Sequence, residues 1–174
     1  RSTEKRPLAE GDVLITNHPA FGGSHLPDVT VMAPLYVDGT LIAYCANRAH
    51  HAEIGGITPG SMPAFAEQLA EEGVVIAPEY LFQAGTPRYE WLRELLQTSP
   101  FPTRAVEDNI ADIHAQVAAI RQGIEALSAL CRQFSVDSVC HHLSQITDLT
   151  ASVISKQVSS LPDRTNLAKQ VLDD

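Results

Sequence analysis

The sequence predicts the α+β fold class, with a buried β-hairpin or sheet in the N-terminal half followed by an antiparallel helical hairpin. Glycine distribution is the first indication: seven of the ten glycines lie between Gly11 and Gly60, and Gly123 stands alone in the C-terminal part. Hydrophobic spacing is the second, because short apolar runs give way to steps of three and four. Strands followed by helices are typical of this class. We expect a glycine-rich strand and loop region over residues 1–104 and a helical hairpin region over residues 105–174, both within one domain.

Four short apolar runs in the first region predict strands. They cover residues 13–16, 29–37, 40–49 and 74–77. The second and third runs are separated by Asp38-Gly39, and Asp-Gly is a strong hairpin signal because both central positions of a type I′ turn need positive φ. Both faces of this hairpin are mostly apolar, so we expect it to be buried on both sides.

Two apolar stripes in the C-terminal region predict two helices. The first stripe steps by three and four through Ile110, Ile113, Val117, Ile120, Ile124, Leu127, Leu130 and Phe134. Residues 135–137 interrupt the pattern, and a second stripe then runs through Val139, Leu143, Ile146, Leu149, Val153 and Gln157. Because the two stripes are joined so tightly, we expect the helices to fold back on each other as an antiparallel pair.

Composition and charge exclude several classes of function. The 174 residues carry 12 Lys and Arg against 21 Asp and Glu, a formal charge of −9, which would repel the phosphate backbone of a nucleic acid. No apolar run approaches the roughly 20 residues that a membrane span needs. Three cysteines without CxxC spacing argue against a disulfide framework and a thiolate zinc site. We expect a cytoplasmic protein and, from the opening residue Arg1, part of a longer chain.

Two loop-rich segments concentrate the side chains that bind metals. Residues 17–28 (NHPAFGGSHLPD) and 47–60 (NRAHHAEIGGITPG) hold four of the seven histidines. The predicted turn brings four side chains to the open end of the hairpin: His25, Asp28, His50 and His51. Imidazole and carboxylate groups together suit Zn²⁺, Mn²⁺ or Fe²⁺, and two histidines with one carboxylate leave coordination positions open for water and substrate. The alternative is that these histidines form hydrogen bonds without a metal.

The strand register decides which of the two adjacent histidines joins Asp28. In an ideal ladder the numbers of cross-strand partners sum to 77, so Asp28 faces Ala49 and shares its face of the sheet with His51. A bulge in the hairpin would instead place His50 on that face, and bulges often lie beside active sites. Both alternatives stay open on the residues alone.

Five motifs, in order, resemble those of the hydantoinase B/5-oxoprolinase family over most of residues 11–125. They are GD followed by TNHP, then GGSHLPDVTV, RAHHAEIGGITPGSMP, EEGVVI, and DNIADIHAQVAA with a glycine after it. The TNHP and GGS segments are more similar to ATP-dependent 5-oxoprolinases than to hydantoinase B subunits. His114 stands where the family usually has an arginine, and Ile120 where it usually has an asparagine.

The resemblance implies an enzyme that opens a small cyclic amide: 5-oxo-L-proline, converted with ATP and water to L-glutamate, ADP and phosphate, or a hydantoin ring. In that family ATP binds to a separate hydantoinase A-type domain or subunit, and this sequence has no GxxxxGK[ST] loop. Related acetone carboxylase subunits hold a divalent metal in the B-like part. Motif position carries that metal, Mn, Zn or Fe, to His25, Asp28 and His50. We also expect an oligomer.

Five further residues are candidates for catalysis or substrate binding. His51 is a candidate proton carrier or a partner of the metal ligands. Arg48 is a candidate for holding a carboxylate or phosphate, with a structural ion pair as the alternative. Asn109, Asp112 and Gln116 share one helix face by their spacing, so they are candidates for substrate binding, with helix capping as the alternative.

Two other functions stay open at this point. An acetone carboxylase-type alpha subunit would use the same metal position but bind a ketone. A non-catalytic truncated fragment would instead use its helical hairpin to bind a partner chain, because an excerpt exposes surface that its missing neighbours would cover.

Overall fold

The computed structural model describes residues 8–61, 63–163, 165 and 167–169. Its α+β architecture is the class that the sequence predicts. The strands form one antiparallel sheet in the order β3-β2-β1-β4-β5, made of β1 (Val13–Thr16), β2 (Asp28–Val37), β3 (Thr40–His50), β4 (Glu79–Gln83) and β5 (Thr86–Pro87). The helices are α1 (Leu69–Glu72), α2 (Tyr89–Thr98), α3 (Val106–Phe134) and α4 (Val136–Ser159).

The predicted hairpin of β2 and β3 is confirmed. Its turn residues Asp38 and Gly39 have φ angles of 50° and 76°, the positive values that a two-residue hairpin turn needs. Each strand is one residue longer at the open end than predicted, so β2 begins at Asp28 and β3 ends at His50. Two candidate ligands therefore lie at the very ends of paired strands.

A β-bulge near the turn shifts the hairpin register by one residue. Leu35 pairs with Ala43 instead of Ile42, so Ile42 is the extra residue on β3. Every pair beyond the bulge is displaced in the same way, and Asp28 lies directly opposite His50. Directly opposed residues point to the same face of a sheet, so the bulge places these two side chains together.

The expectation that the hairpin is buried on both faces is wrong. β3 is an edge strand of the sheet, and its alternate residues Tyr44, Ala46, Arg48 and His50 are exposed. Helix α3 packs against β2 and β3, and it covers the opposite face. An apolar pattern on both faces of a hairpin does not by itself mean that other elements cover both faces. Among the described residues, no element covers the face of β3 that points away from α3.

The hydrophobic core joins the sheet to α2 and α3. Its fully buried members include Ile15, Val29, Val31, Leu81, Leu92, Leu96 and Ile113. Helix α2 and the short strand β5 are absent from the predicted elements. The spacing of Leu92 and Leu96, with an apolar residue also at position 95, is nevertheless typical of an amphipathic helix.

Residues 74–77 do not form the predicted strand, and β4 begins at Glu79 instead. The buried side chain of Asn17 satisfies this segment: the Ile76 N–H donates to Asn17 Oδ1 at 2.7 Å, and Asn17 Nδ2 donates to the Val74 carbonyl at 2.8 Å. One amide side chain thus supplies two of the hydrogen bonds that a neighbouring strand would otherwise supply.

The two predicted long helices are confirmed, and a single residue, Ser135, separates them. At their joined ends, Leu130 and Phe134 of α3 and Leu143 of α4 line a common apolar groove. No residue of α4 is buried, and from His141 onward every described residue is exposed. Within the described ranges, no helix combines the length and the hydropathy that crossing a membrane requires.

Candidate metal site

His25, Asp28 and His50 lie together at the open end of the β2–β3 hairpin. His50 Nδ1 is 3.1 Å from Asp28 Oδ1, and His25 Nδ1 is 3.5 Å from Asp28 Oδ2. One possible ligand atom from each residue lies within 4.8 Å of the other two. The two imidazole rings are perpendicular, with centroids 5.0 Å apart. Two imidazoles and one carboxylate are a donor set that transition metals and zinc accept.

Local structure explains how His25, 25 residues before His50, reaches the site. The Asp28 N–H donates to the His25 carbonyl, which closes a tight turn at the start of β2. Leu26 is fully buried in the core, and its carbonyl accepts from Asn17 Nδ2 at 2.9 Å. A Cβ at Gly23 would lie 2.6 Å from the Asn17 carbonyl oxygen, so the loop needs glycine there. These contacts fix the loop that carries His25.

The site has one solvent-facing side and one unsatisfied nitrogen. The side chain of Asp28 is 16 % exposed, whereas that of His50 is 57 % exposed. Among the described residues, His25 Nδ1 is buried and has no hydrogen-bond partner. A buried polar atom without a partner is costly, and such an atom in a native structure needs an explanation. A cation bound beside Asp28 would supply one.

Arg48 lies on the same face of β3 as His50, two residues before it. Its guanidinium donates to Thr30 Oγ1 at 2.9 Å, to Ser24 Oγ at 3.3 Å and to the Gly22 carbonyl. These bonds attach the glycine-rich loop before His25 to the edge of the sheet. A guanidinium has five N–H donors, so two remain for a further partner.

His51 lies on the opposite face of β3 from the three candidate ligands, and it is only 1 % exposed. Its Nδ1 is 2.5 Å from Asn109 Oδ1, and its Nε2 is 3.4 Å from Gln116 Oε1. The structure therefore brings His51, Asn109 and Gln116 together in one buried cluster, away from the solvent-facing side of the candidate metal site. Asp112, the remaining candidate for substrate binding, is exposed on α3.

Glu53 lies in a dense hydrogen-bond network. Its carboxylate accepts from the Gly55 N–H, from the Thr103 hydroxyl, and from the backbone and side chain of Arg104. Burial alone would raise the pKa of this carboxyl, but the hydrogen bonds together outweigh burial and hold the pKa below its ordinary value. Glu53 and Thr103 are 50 positions apart, so no local sequence pattern indicates this contact.

Comparisons with known proteins identify the family of this chain. A model of the hydantoinase B/oxoprolinase family matches residues 1–174. The chain belongs to this family. It is 39 % identical over 167 residues to 5-oxoprolinase 1 of Arabidopsis thaliana and 38 % identical over 169 residues to 5-oxoprolinase of Saccharomyces cerevisiae. These matches cover 91 % and 93 % of this chain but 13 % of each relative, so the chain spans about an eighth of their length.

A solved structure is also similar to this hydantoinase B/oxoprolinase chain. The crystal structure of ATP-dependent caprolactamase from Pseudomonas jessenii superposes with a TM-score of 0.77 at 28 % sequence identity. The match covers 90 % of this chain and 26 % of the caprolactamase chain. The family fold therefore extends over both the sheet and the long helices.

Proposed function

We propose that this chain supplies the metal-binding B-type part of an ATP-dependent hydrolase that opens a cyclic amide, with 5-oxoproline as its substrate. The observation that carries the proposal is the convergence of His25, Asp28 and His50 in a member of the hydantoinase B/oxoprolinase family. The names of the relatives, 5-oxoprolinase among them, support the substrate class. ATP is proposed to bind to a hydantoinase A-type domain or subunit outside this chain.

The residues present suit a divalent cation, Mn²⁺, Zn²⁺ or Fe²⁺. Asp28 offers two carboxylate oxygens, each facing a different histidine, and His25 Nδ1 is a buried nitrogen without another partner among the described residues. When bound, a divalent cation would polarise the reacting carbonyl or lower the pKa of a water molecule. The three side chains would hold it, and the exposed side of His50 leaves room for substrate.

Arg48 is proposed to bind the carboxylate of 5-oxoproline. It lies two residues from His50 on the same face, roughly 7 Å along the strand, and two of its N–H donors remain beyond the three that hold the loop. A guanidinium matches the planar geometry of a carboxylate. Arg48 also carries a positive charge, whereas the chain as a whole has a formal charge of −9.

Metal content and turnover test the proposal together. We expect the protein with its A-type partner to contain a divalent metal and to release ADP and glutamate when 5-oxoproline is added. His25→Ala and Asp28→Ala should lose the metal and this activity, whereas His141→Ala, an exposed histidine on α4, should keep both. Unchanged metal content in both site variants would contradict the site, and ADP release that responds to acetone but not to 5-oxoproline would contradict the substrate.

A pair of lactams tests the role of Arg48. 2-Pyrrolidinone is 5-oxoproline without its carboxylate, so an Arg48→Gln variant should lose kcat/KM for 5-oxoproline by about 100-fold more than for 2-pyrrolidinone. A structural role in the loop would lower both values by the same factor. Equal losses for the two lactams would therefore show that Arg48 holds the loop and does not bind the substrate.

A further inference from the structure

The buried side of the hairpin end carries a polar network that the proposed chemistry does not use. Successive residues of a strand point to opposite faces, so His50 faces the candidate site while His51 faces α3. His51 Nδ1 and Nε2 contact Asn109 and Gln116, which lie seven residues apart on one face of α3. The network and the candidate site are thus back to back across one strand.

The amide of Asn109 is held in one orientation. Its Nδ2 lies 2.9 Å from the Glu53 carbonyl, 2.9 Å from the Thr103 hydroxyl and 3.0 Å from the Ala105 carbonyl, so its two N–H groups are surrounded by three acceptors. Oδ1 therefore faces His51, and because a carbonyl oxygen can only accept, His51 Nδ1 carries the hydrogen. The imidazole is held by a directed bond to α3.

The amide of Gln116 attaches both strands of the hairpin to the same helix. Its Nε2 donates to the Val29 carbonyl of β2 at 3.0 Å and to Asn47 Oδ1 of β3 at 2.9 Å. Asn47 Nδ2 in turn donates to the Gln116 backbone carbonyl at 2.8 Å. Val29 directly follows Asp28, and His51 directly follows His50. Each member of the Asp28–His50 pair therefore has a neighbour that is bonded to α3.

We infer that His51 is a positioning residue that does not touch the substrate. Its hydrogen bond to Asn109, together with the bonds of Gln116 to Val29 and Asn47, fixes Asp28 and His50 relative to each other. This inference rests on the proposed metal site and deepens it. Burial at 1 % exposure denies His51 the access that direct proton transfer needs. The backbone bond from the His51 N–H to the Pro27 carbonyl, at 2.8 Å, completes the closure of the hairpin end.

Three variants in the protein separate positioning from general stability. His51→Leu removes both ring contacts, whereas His51→Asn keeps an N–H donor near the Nδ1 position. Ile113→Ala is the matched control, because Ile113 is fully buried on α3 between Asn109 and Gln116 but takes no part in the polar network. If His51→Leu fails to fold, Gln116→Met provides the same test from the helix side.

Mn²⁺ titration followed by electron paramagnetic resonance gives the first readout. We expect His51→Leu to weaken Mn²⁺ binding by about 10- to 100-fold and to change the spectrum of the bound ion, because the strand end that carries His50 would lose its bond to α3. Loss of groups that orient metal ligands commonly has effects of this size. His51→Asn and Ile113→Ala should stay within about 3-fold of the wild type. Wild-type affinity in His51→Leu, or an equal loss in Ile113→Ala, would overturn the inference.

Amide hydrogen exchange in the metal-free protein gives a readout that does not depend on the metal site. His51→Leu should speed exchange of the backbone amides at positions 28 and 51 more than Ile113→Ala does. The hydrogen bonds of these two amides close the hairpin end. Unchanged protection would overturn the inference even if the metal site is correct. If the wild type binds neither Mn²⁺ nor Zn²⁺ nor Fe²⁺ but His51→Leu loses protection, the proposed function fails while the positioning role stands.

Discussion

The open end of the hairpin and helix α4 differ in what they bury. Around the hairpin end, the polar residues Asn17, His51 and Asn109 are nearly inaccessible, and each makes hydrogen bonds inside the protein. In α4 no residue is buried, and large apolar side chains such as Ile146 and Leu149 are 62 % and 65 % exposed. One region holds polar groups inside, and the other leaves apolar groups outside.

The contrast predicts where a substitution costs the most free energy of unfolding. At the hairpin end, the loss of one hydrogen-bonding side chain leaves a buried polar group without a partner, so substitutions there are costly. Helix α4 is maintained by its backbone bonds and by its contacts with α3 near Ser135, so side-chain changes further along it remove little burial. Matched substitutions in the two regions measure this difference directly.

The largest effect is expected at Asn17. Asn17→Leu has a similar volume but leaves the Ile76 N–H and the carbonyls of Leu26 and Val74 without their side-chain partner. With unsatisfied buried groups costing about 1–3 kcal/mol each, the free energy of unfolding should fall by about 4 kcal/mol. Gln145→Leu on the exposed α4 is the control, and urea unfolding of both variants is the measurement. Equal losses would refute the contrast.

A second, smaller difference is expected between two isoleucines on the long helices. Ile113→Ala in α3 removes a fully buried side chain, and the free energy of unfolding should fall by about 3 kcal/mol. Ile146→Ala in α4 removes a side chain that is mostly exposed already, so the change should stay within about 0.5 kcal/mol. A loss at Ile146 as large as that at Ile113 would mean that a partner covers α4 in solution.

Glu53 is expected to give the smallest effect, which is a change in how the Tm depends on pH. Its folded pKa is below the ordinary value of 4.5, so its ionised form stabilises the fold above that pH, and the stabilisation is lost as the pH falls through the folded pKa. Glu53→Gln should therefore flatten the fall in Tm as the pH is lowered below the ordinary carboxyl pKa. Asp148→Asn, on the exposed α4, should keep the wild-type curve. A Glu53→Gln curve as steep as wild type would contradict this interpretation.

The sequence determines the parts of this protein that depend on local patterns. Asp38-Gly39 encodes the hairpin turn because both positions need positive φ, and the apolar steps of three and four encode the two long helices. The motifs also indicate the family, which the match over residues 1–174 confirms. These signals lie within a few residues of one another, or within contiguous motifs, so no tertiary contact is needed to see them.

Tertiary structure alone decides which side chains meet. The extra residue Ile42 turns every side chain beyond it to the other face, so His50 and not His51 joins Asp28, and the residues by themselves left both choices open. The hydrogen bond from Thr103 to Glu53 joins residues that are 50 positions apart. Register and long-range packing are set by how whole elements fit together, and a one-residue shift in that fit leaves the local sequence pattern unchanged.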